Sequence, residues 1–255
     1  RPELIKERIK QIRDAGVTVA ASLSPQRTAV LHKAVVDAGV DIFVIRGTTV
    51  SAEHVGSNTD ALNLKKFIYE LDTPVIVGGV ANGTAALHLM RAGAAGVLVG
   101  FGGGAAHTTR KVLGVEVPMA SAVSEVAAAR REYLDESGGR YVHVIADGSV
   151  GRSGDIAKAI ACGADAVMMG SPLAKAKEAP GLGWHWGSEA HHQELPRGER
   201  VSVGTVGSIE EILVGPSHSS DGSMNMFGAL RRAMATCGYS NLKEFQRVEV
   251  LITRG

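Results

Sequence analysis

The chain has 255 residues, enough for one large domain or two small ones with a substantial core. Hydrophobic residues make up 45% and charged residues 21%, ordinary values for a soluble globular protein. With 27 basic against 26 acidic residues, nothing in the charge advertises a nucleic-acid or membrane surface.

Aromatics are scarce at 4% while glycine is frequent at 32 residues, a skew that suits an α/β protein rich in tight turns. Cys162 and Cys237 give neither a disulfide framework nor metal-ligand spacing, so no metal site is expected. A reducing cytoplasm is the simplest setting. No signal peptide and no apolar run of roughly 18 residues stands out.

In chain order, Glu3 to Arg13 carries apolar residues at 4, 5, 9 and 12, a helical spacing. It closes at Asp14-Ala15-Gly16, and Val17 to Ala21 reads as a short strand. The same punctuation recurs at Asp37-Ala38-Gly39, Arg91-Ala92-Gly93 and Ala161-Cys162-Gly163, each before an apolar run: Val40 to Ile45, Ala94 to Val99 and Ala164 to Met169. Each copy predicts a helix ended by a left-handed glycine, then a strand buried on both faces. Pro74 to Gly78 and Tyr141 to Ala146 add two more strands. The intervening helices are predicted over Ser24–Asp37, Asp60–Leu71, Thr84–Ala92, Ala120–Ser137 and Gly154–Ala161. Ser24 before Pro25 is a good N-cap.

Six β/α units in strict alternation predict a parallel α/β fold, barrel or doubly wound. After Pro172 the alternation stops. Residues 180–206 hold Trp184, Trp186, His185, His191, His192 and a polar run from Glu194 to Arg200. Such a stretch is either a lid-like excursion over the site or a surface hairpin. Helices at Met224–Ala235 and Asn241–Gln246 close the chain, which is expected to be a single barrel-type domain over 1–255 with no regulatory domain.

Ligands of parallel α/β folds sit at the carboxyl ends of strands. Three such ends are unusual here. The first is the glycine loop Gly100 to Arg110, where Gly102 and Gly104 let backbone approach a ligand. The second is Ala146 to Gly154, the third Met169 to Leu173. Gly148, Ser149, Gly170 and Ser171 supply small residues and hydroxyls suited to a phosphate, and Asp147 could accept from a ribose diol. The alternatives are that the glycine loop binds nothing, that Asp147 caps the next helix, and that the glycines only serve the turns.

Over nearly its whole length the chain resembles the IMP dehydrogenase/GMP reductase family, above all the actinobacterial branch related to IMP dehydrogenase. The likeness is densest in Val75 to Gly79, Val99 to Arg110, Ile145 to Gly148, Ile156 to Ser171 and Gly228 to Gly238. It implies a (β/α)8 TIM barrel, in which the six units would be the third to eighth and the first two would be missing from these 255 residues. It implies a purine nucleotide such as IMP or GMP as ligand, NAD as cofactor together with a monovalent cation, and a homotetramer. Asp147 falls where the family holds the ribose hydroxyls, Gly148, Gly170 and Ser171 in its phosphate loops, and Thr109 two residues beyond its nucleophile. Ser149 replaces a glycine.

At the reacting end the likeness implies losses. The family's loop reads roughly G-x-G-S-I-C-T-T-R, its cysteine attacking C2 of the purine. Here His107 stands at the cysteine position and Ala105 at the serine. Arg46 replaces an aspartate near the nicotinamide ribose, Val80 replaces an asparagine after Gly78-Gly79, and the mobile flap has no clear counterpart between Gly181 and Arg200. Cys162 and Cys237 align with segments away from the loop. His107 is read either as a general base or as a packed loop histidine. The expected function is an oxidoreductase homologue that binds purine nucleotide with the family reaction weakened or lost. The rivals are a non-catalytic nucleotide-binding or regulatory protein and an FMN-dependent oxidoreductase, since related barrels hold FMN phosphate on the same two loops.

Overall fold

The computed structural model describes residues 1–47, 50, 62–187, 199–251 and 253. Six parallel strands form one sheet in chain order: β1 (Ala20–Leu23), β2 (Ile42–Arg46), β3 (Val75–Val80), β4 (Gly96–Val99), β5 (His143–Asp147) and β6 (Ala166–Met168). A helix stands between each consecutive pair, which is the strand-helix alternation of a (β/α)8-type fold. By contacts the chain divides into two compact units, residues 1–98 with 128–143, and residues 99–127 with 144–255.

In the first unit, α1 (Pro2–Asp14) and α2 (Pro25–Val36) pack together ahead of β2, and α3 (Leu64–Tyr69) and α4 (Gly83–Arg91) follow. Phe43, Ile45, Val77, Leu89 and Leu98 are fully buried, because β2 to β4 are covered on both faces as their unbroken apolar runs require. The outer strands depart from that expectation. β1 alternates exposed and half-buried residues, and β6 opens on exposed Ala166, each strand having a sheet neighbour on one side only among the described residues.

The first strand begins three residues later than the sequence suggests. Val17 is exposed, and the N–H of Val19 donates to Asp41 Oδ2 at 2.7 Å, so pairing starts with Ala20 opposite Ile42. Ser24 occupies the N-cap of α2, yet its side chain makes no capping bond. Its carbonyl instead accepts the Thr28 hydroxyl at 2.9 Å. The expected helix over Asp60–Leu71 is the six-residue α3, capped by Asn63; Asp60 lies outside the described residues. All four punctuating glycines have positive φ, from +73° at Gly16 to +109° at Gly163. Arg140 fastens the end of α4, donating to the carbonyls of Met90, Gly93 and Ala94 and to Tyr133 Oη.

The second unit holds the one-turn helix α5 (Thr109–Leu113), the start of α6 (Met119–Glu136), α7 (Ser153–Ala161) and α8 (Ser171–Ala174). A two-stranded antiparallel pair, β7 (Trp184–His185) with β8 (Val201–Ser202), follows, then α9 (Ile209–Leu213), α10 (Met226–Thr236) and α11 (Leu242–Phe245). The short helices α5 and α9 carry no periodicity long enough to read. The described parts of residues 180–206 include this strand pair; His191 and His192 lie outside the described residues. At the chain's end Lys243 and Gln246 reach Asp165, whose other carboxylate oxygen accepts from the N–H of Val144. That clamp fixes the start of the strand that delivers Asp147.

Candidate functional site

The glycine loop and the loop after β5 pack backbone to backbone. Gly103 accepts the N–H of Ser149 at 3.1 Å, and a Cβ on Gly103 would lie 2.6 Å from Ser149 Oγ. Gly100 has φ +110°, and a Cβ there would lie 2.6 Å from the carbonyl oxygen of Asp147. The glycines therefore let two strand-end loops close on each other, which explains why the glycine loop is not a free linker.

Asp147 is the last residue of β5 and is buried. At the N-terminus of α7, Asp155 Oδ2 accepts the N–H groups of Gly151 and Arg152. Gly148 and Ser149 both have positive φ, at +125° and +56°. Ser149 thus sits in backbone that favours glycine, the residue the family resemblance implies there.

His107 is half-buried, its N–H donating to the Gly104 carbonyl at 3.0 Å and its ring lying against Gly104. Thr109 opens α5 with no exposure at all. Its hydroxyl has no hydrogen-bond partner among the described residues, and its Cβ packs toward Gly102. A fully buried hydroxyl without a partner is costly unless a ligand or water supplies one.

Gly170 and Ser171 lead from β6 into α8 as expected, and a residue the sequence merely grouped with its neighbours meets them. His185 lies over Gly170, where a Cβ would stand 3.2 Å from its Cε1. Burial, then the charge of His107, holds the His185 imidazole below the ordinary histidine range. The alternation of Trp184, His185 and Trp186 was the available signal. Arg200 lies over both indoles, 5.2 and 5.1 Å from their centroids, with His185 between the two tryptophans in the sequence.

Cys162 sits nearer the loops than its position in the sequence suggests. It lines a cavity of about 190 Å³ together with Met119, Ala146, Gly148 and Ser149. Cys237 is exposed. In the first unit, Arg46, the last residue of β2, is the register partner of Gly78 within β3, and the Gly79 N–H donates to the Gly47 carbonyl while its own carbonyl accepts from Val50. A Cβ on Gly78 would overlap Leu98, so packing alone requires that glycine. Among the described residues no group of three or more His, Cys, Asp or Glu side chains could hold a metal ion. No described helix is long and apolar enough to cross a membrane.

A profile of the IMP dehydrogenase / GMP reductase domain matches residues 5–190. The chain is 55% identical over 254 residues to an uncharacterized oxidoreductase of Mycolicibacterium smegmatis, covering 98% of this chain and 68% of that protein. It is 36% identical over 251 residues to the inosine-5′-monophosphate dehydrogenase of Methanocaldococcus jannaschii, covering 84% of this chain and 46% of that one. Among solved structures, an IMP dehydrogenase/GMP reductase-like protein from Corynebacterium glutamicum superposes with a TM-score of 0.92 at 52% identity, over 99% of this chain and 66% of its own. The 255 residues thus span about two thirds of these actinobacterial relatives. The chain belongs to the IMP dehydrogenase/GMP reductase family.

Proposed function

We propose that the chain is an oxidoreductase homologue that binds a purine nucleotide on the loops after β4, β5 and β6, with an imidazole where the family carries a thiolate. One observation carries the reading. The backbone of Gly103 docks on Ser149 beside buried Asp147, which joins the glycine loop to the diol-binding and phosphate-binding candidates. Gly102 and Gly104 shape the loop, Gly148 and Ser149 with Gly170 and Ser171 hold the phosphate, and the Asp147 carboxylate takes the ribose hydroxyls. The partnerless Thr109 hydroxyl suits a bound ligand.

NAD, the family's hydride acceptor, would fall to Arg46 with Gly78 and Gly79. Arg46 offers a cation at a strand end, whereas the glycines are already accounted for by packing and backbone bonding. Imidazole is a weaker partner than thiolate for an adduct at C2, and losing such a nucleophile costs several powers of ten in kcat. Titration calorimetry with IMP and GMP, alongside NADH production from IMP, tests the proposal. Nucleotide binding with weak or no turnover is expected. Absence of binding overturns the nucleotide site, and robust turnover overturns the loss of the reaction.

A further inference from the structure

The backbone donors around the phosphate candidates are unevenly engaged. In the loop after β5, the N–H of Ser149 goes to the Gly103 carbonyl and that of Ser153 to the Gly222 carbonyl. The N–H groups of Gly151 and Arg152 go to Asp155 Oδ2. A phosphate resting on that loop would compete for donors the protein already uses. The turn after β6 is different, because a side chain from another element meets it. His185 lies over Gly170, its Cε1 and Nε2 falling 3.2 and 3.4 Å from where a Cβ would stand. The ring edge nearest the turn is therefore the one that carries Nε2, and a side chain at position 170 would press against it.

Backbone bonds hold the imidazole in that place. His185 pairs with Val201 across the two strands. Beyond β8, the N–H of Val206 donates to the Lys175 carbonyl at 2.9 Å, and the N–H of Lys177 to the Gly207 carbonyl at 2.8 Å. These two bonds tie the strand pair to the end of α8, the helix that Ser171 opens.

We propose that His185 is a phosphate-binding residue, its Nε2–H donating to the phosphate monoester of a nucleotide seated on Gly170 and Ser171. The proposal rests on the purine-nucleotide reading of this site and names the end of the ligand that His185 grips. Burial makes the His185 imidazole less basic, but a neutral imidazole keeps one N–H donor, and a phosphate oxygen needs only a donor. A hydrogen bond to an ionised acceptor is stronger than one between neutral groups. The Ser171 hydroxyl supplies a second donor from the same turn. Because the strand pair already positions the ring, little ordering cost is left for binding. A contact of this kind separates nucleotide from nucleoside and is indifferent to the base.

Titration calorimetry with IMP and GMP, and saturation-transfer NMR with inosine, test the contact in the native chain, His185→Ala and His185→Gln. His185→Ala is expected to weaken IMP and GMP alike by about 10- to 100-fold, the scale of one hydrogen bond to a charged group, and to leave inosine binding unchanged. His185→Gln, which keeps an N–H donor, is expected to recover part of that loss. Unchanged IMP affinity in His185→Ala overturns the phosphate contact while the nucleotide site stands. Equal weakening of IMP and inosine also overturns it, since the loss then comes from a site disturbed as a whole. Failure of both IMP and GMP to bind the native chain overturns the purine-nucleotide reading and the contact with it.

Discussion

Replacing Gly100 with alanine puts the closure of the two loops under direct strain. The new Cβ would stand 2.5 Å from Met119 Sδ and 2.6 Å from the carbonyl oxygen of Asp147. The thioether can swing aside, but the carbonyl belongs to the end of β5 and can move only with the strand. Forcing a methyl group into such a site costs about 1–3 kcal/mol. Gly100 also has φ +110°, where a side chain adds about 1–2 kcal/mol of backbone cost. The sum is about 2–5 kcal/mol, or roughly 10 °C in Tm for a chain of this size. Gly114→Ala is the matched control, because φ there is +68° and nothing lies within 4 Å of the added Cβ. Urea unfolding followed by far-ultraviolet circular dichroism measures both variants. Gly100→Ala is expected to lose at least about 1 kcal/mol more than Gly114→Ala, the low end of the overpacking cost. Equal losses would refute the close approach of the glycine loop to Asp147.

Asp165→Ala leaves the buried N–H of Val144 without its acceptor and frees Lys243, so a loss of about 2–3 kcal/mol in urea unfolding is expected. Arg140→Ala removes the donors from three carbonyls at the end of α4 and should cost about 1–2 kcal/mol. Arg140→Lys should recover only part of that loss, because an ammonium cannot reproduce the fork. His185 is less basic in the folded chain than when unfolded, so the unfolded state binds more protons as pH falls below the ordinary histidine range. Stability is therefore lost on acidification through that window and retained above it. Thermal melts from pH 7 to pH 5 should show a shallower decline in His185→Gln, and an identical decline would contradict the assignment.

The parallel fold was legible because the Ala-Gly and Cys-Gly punctuation marks helix ends directly, and because Val97, Leu98 and Val99 can only be buried on both faces. Its boundaries were less so. Pairing, not hydrophobicity, decides where β1 begins, and Asp41 takes the Val19 N–H before the sheet can. Gly103 and Ser149 could be named from the glycine pattern, but their direct hydrogen bond depends on two loops far apart in sequence. His185 was hidden for a related reason. Its neighbours Trp184 and Trp186 dominate the local pattern, and the Gly170 it covers is fifteen residues earlier. Cys162 likewise looks remote along the chain, although α7 returns it to the flank of Gly148.

The stack of Arg200 on Trp184 and Trp186 has a spectroscopic consequence. These two are the only tryptophans in the sequence, and both are partly exposed on the same arm of the hairpin. Intrinsic fluorescence is therefore a local probe of this hairpin rather than a gauge of global unfolding. A guanidinium held over both indoles makes their emission sensitive to salt, and the hairpin is free to loosen before the buried strands do. Melting curves followed by tryptophan emission should lead those followed by far-ultraviolet dichroism, and the gap between them would measure how firmly the hairpin is held against the site.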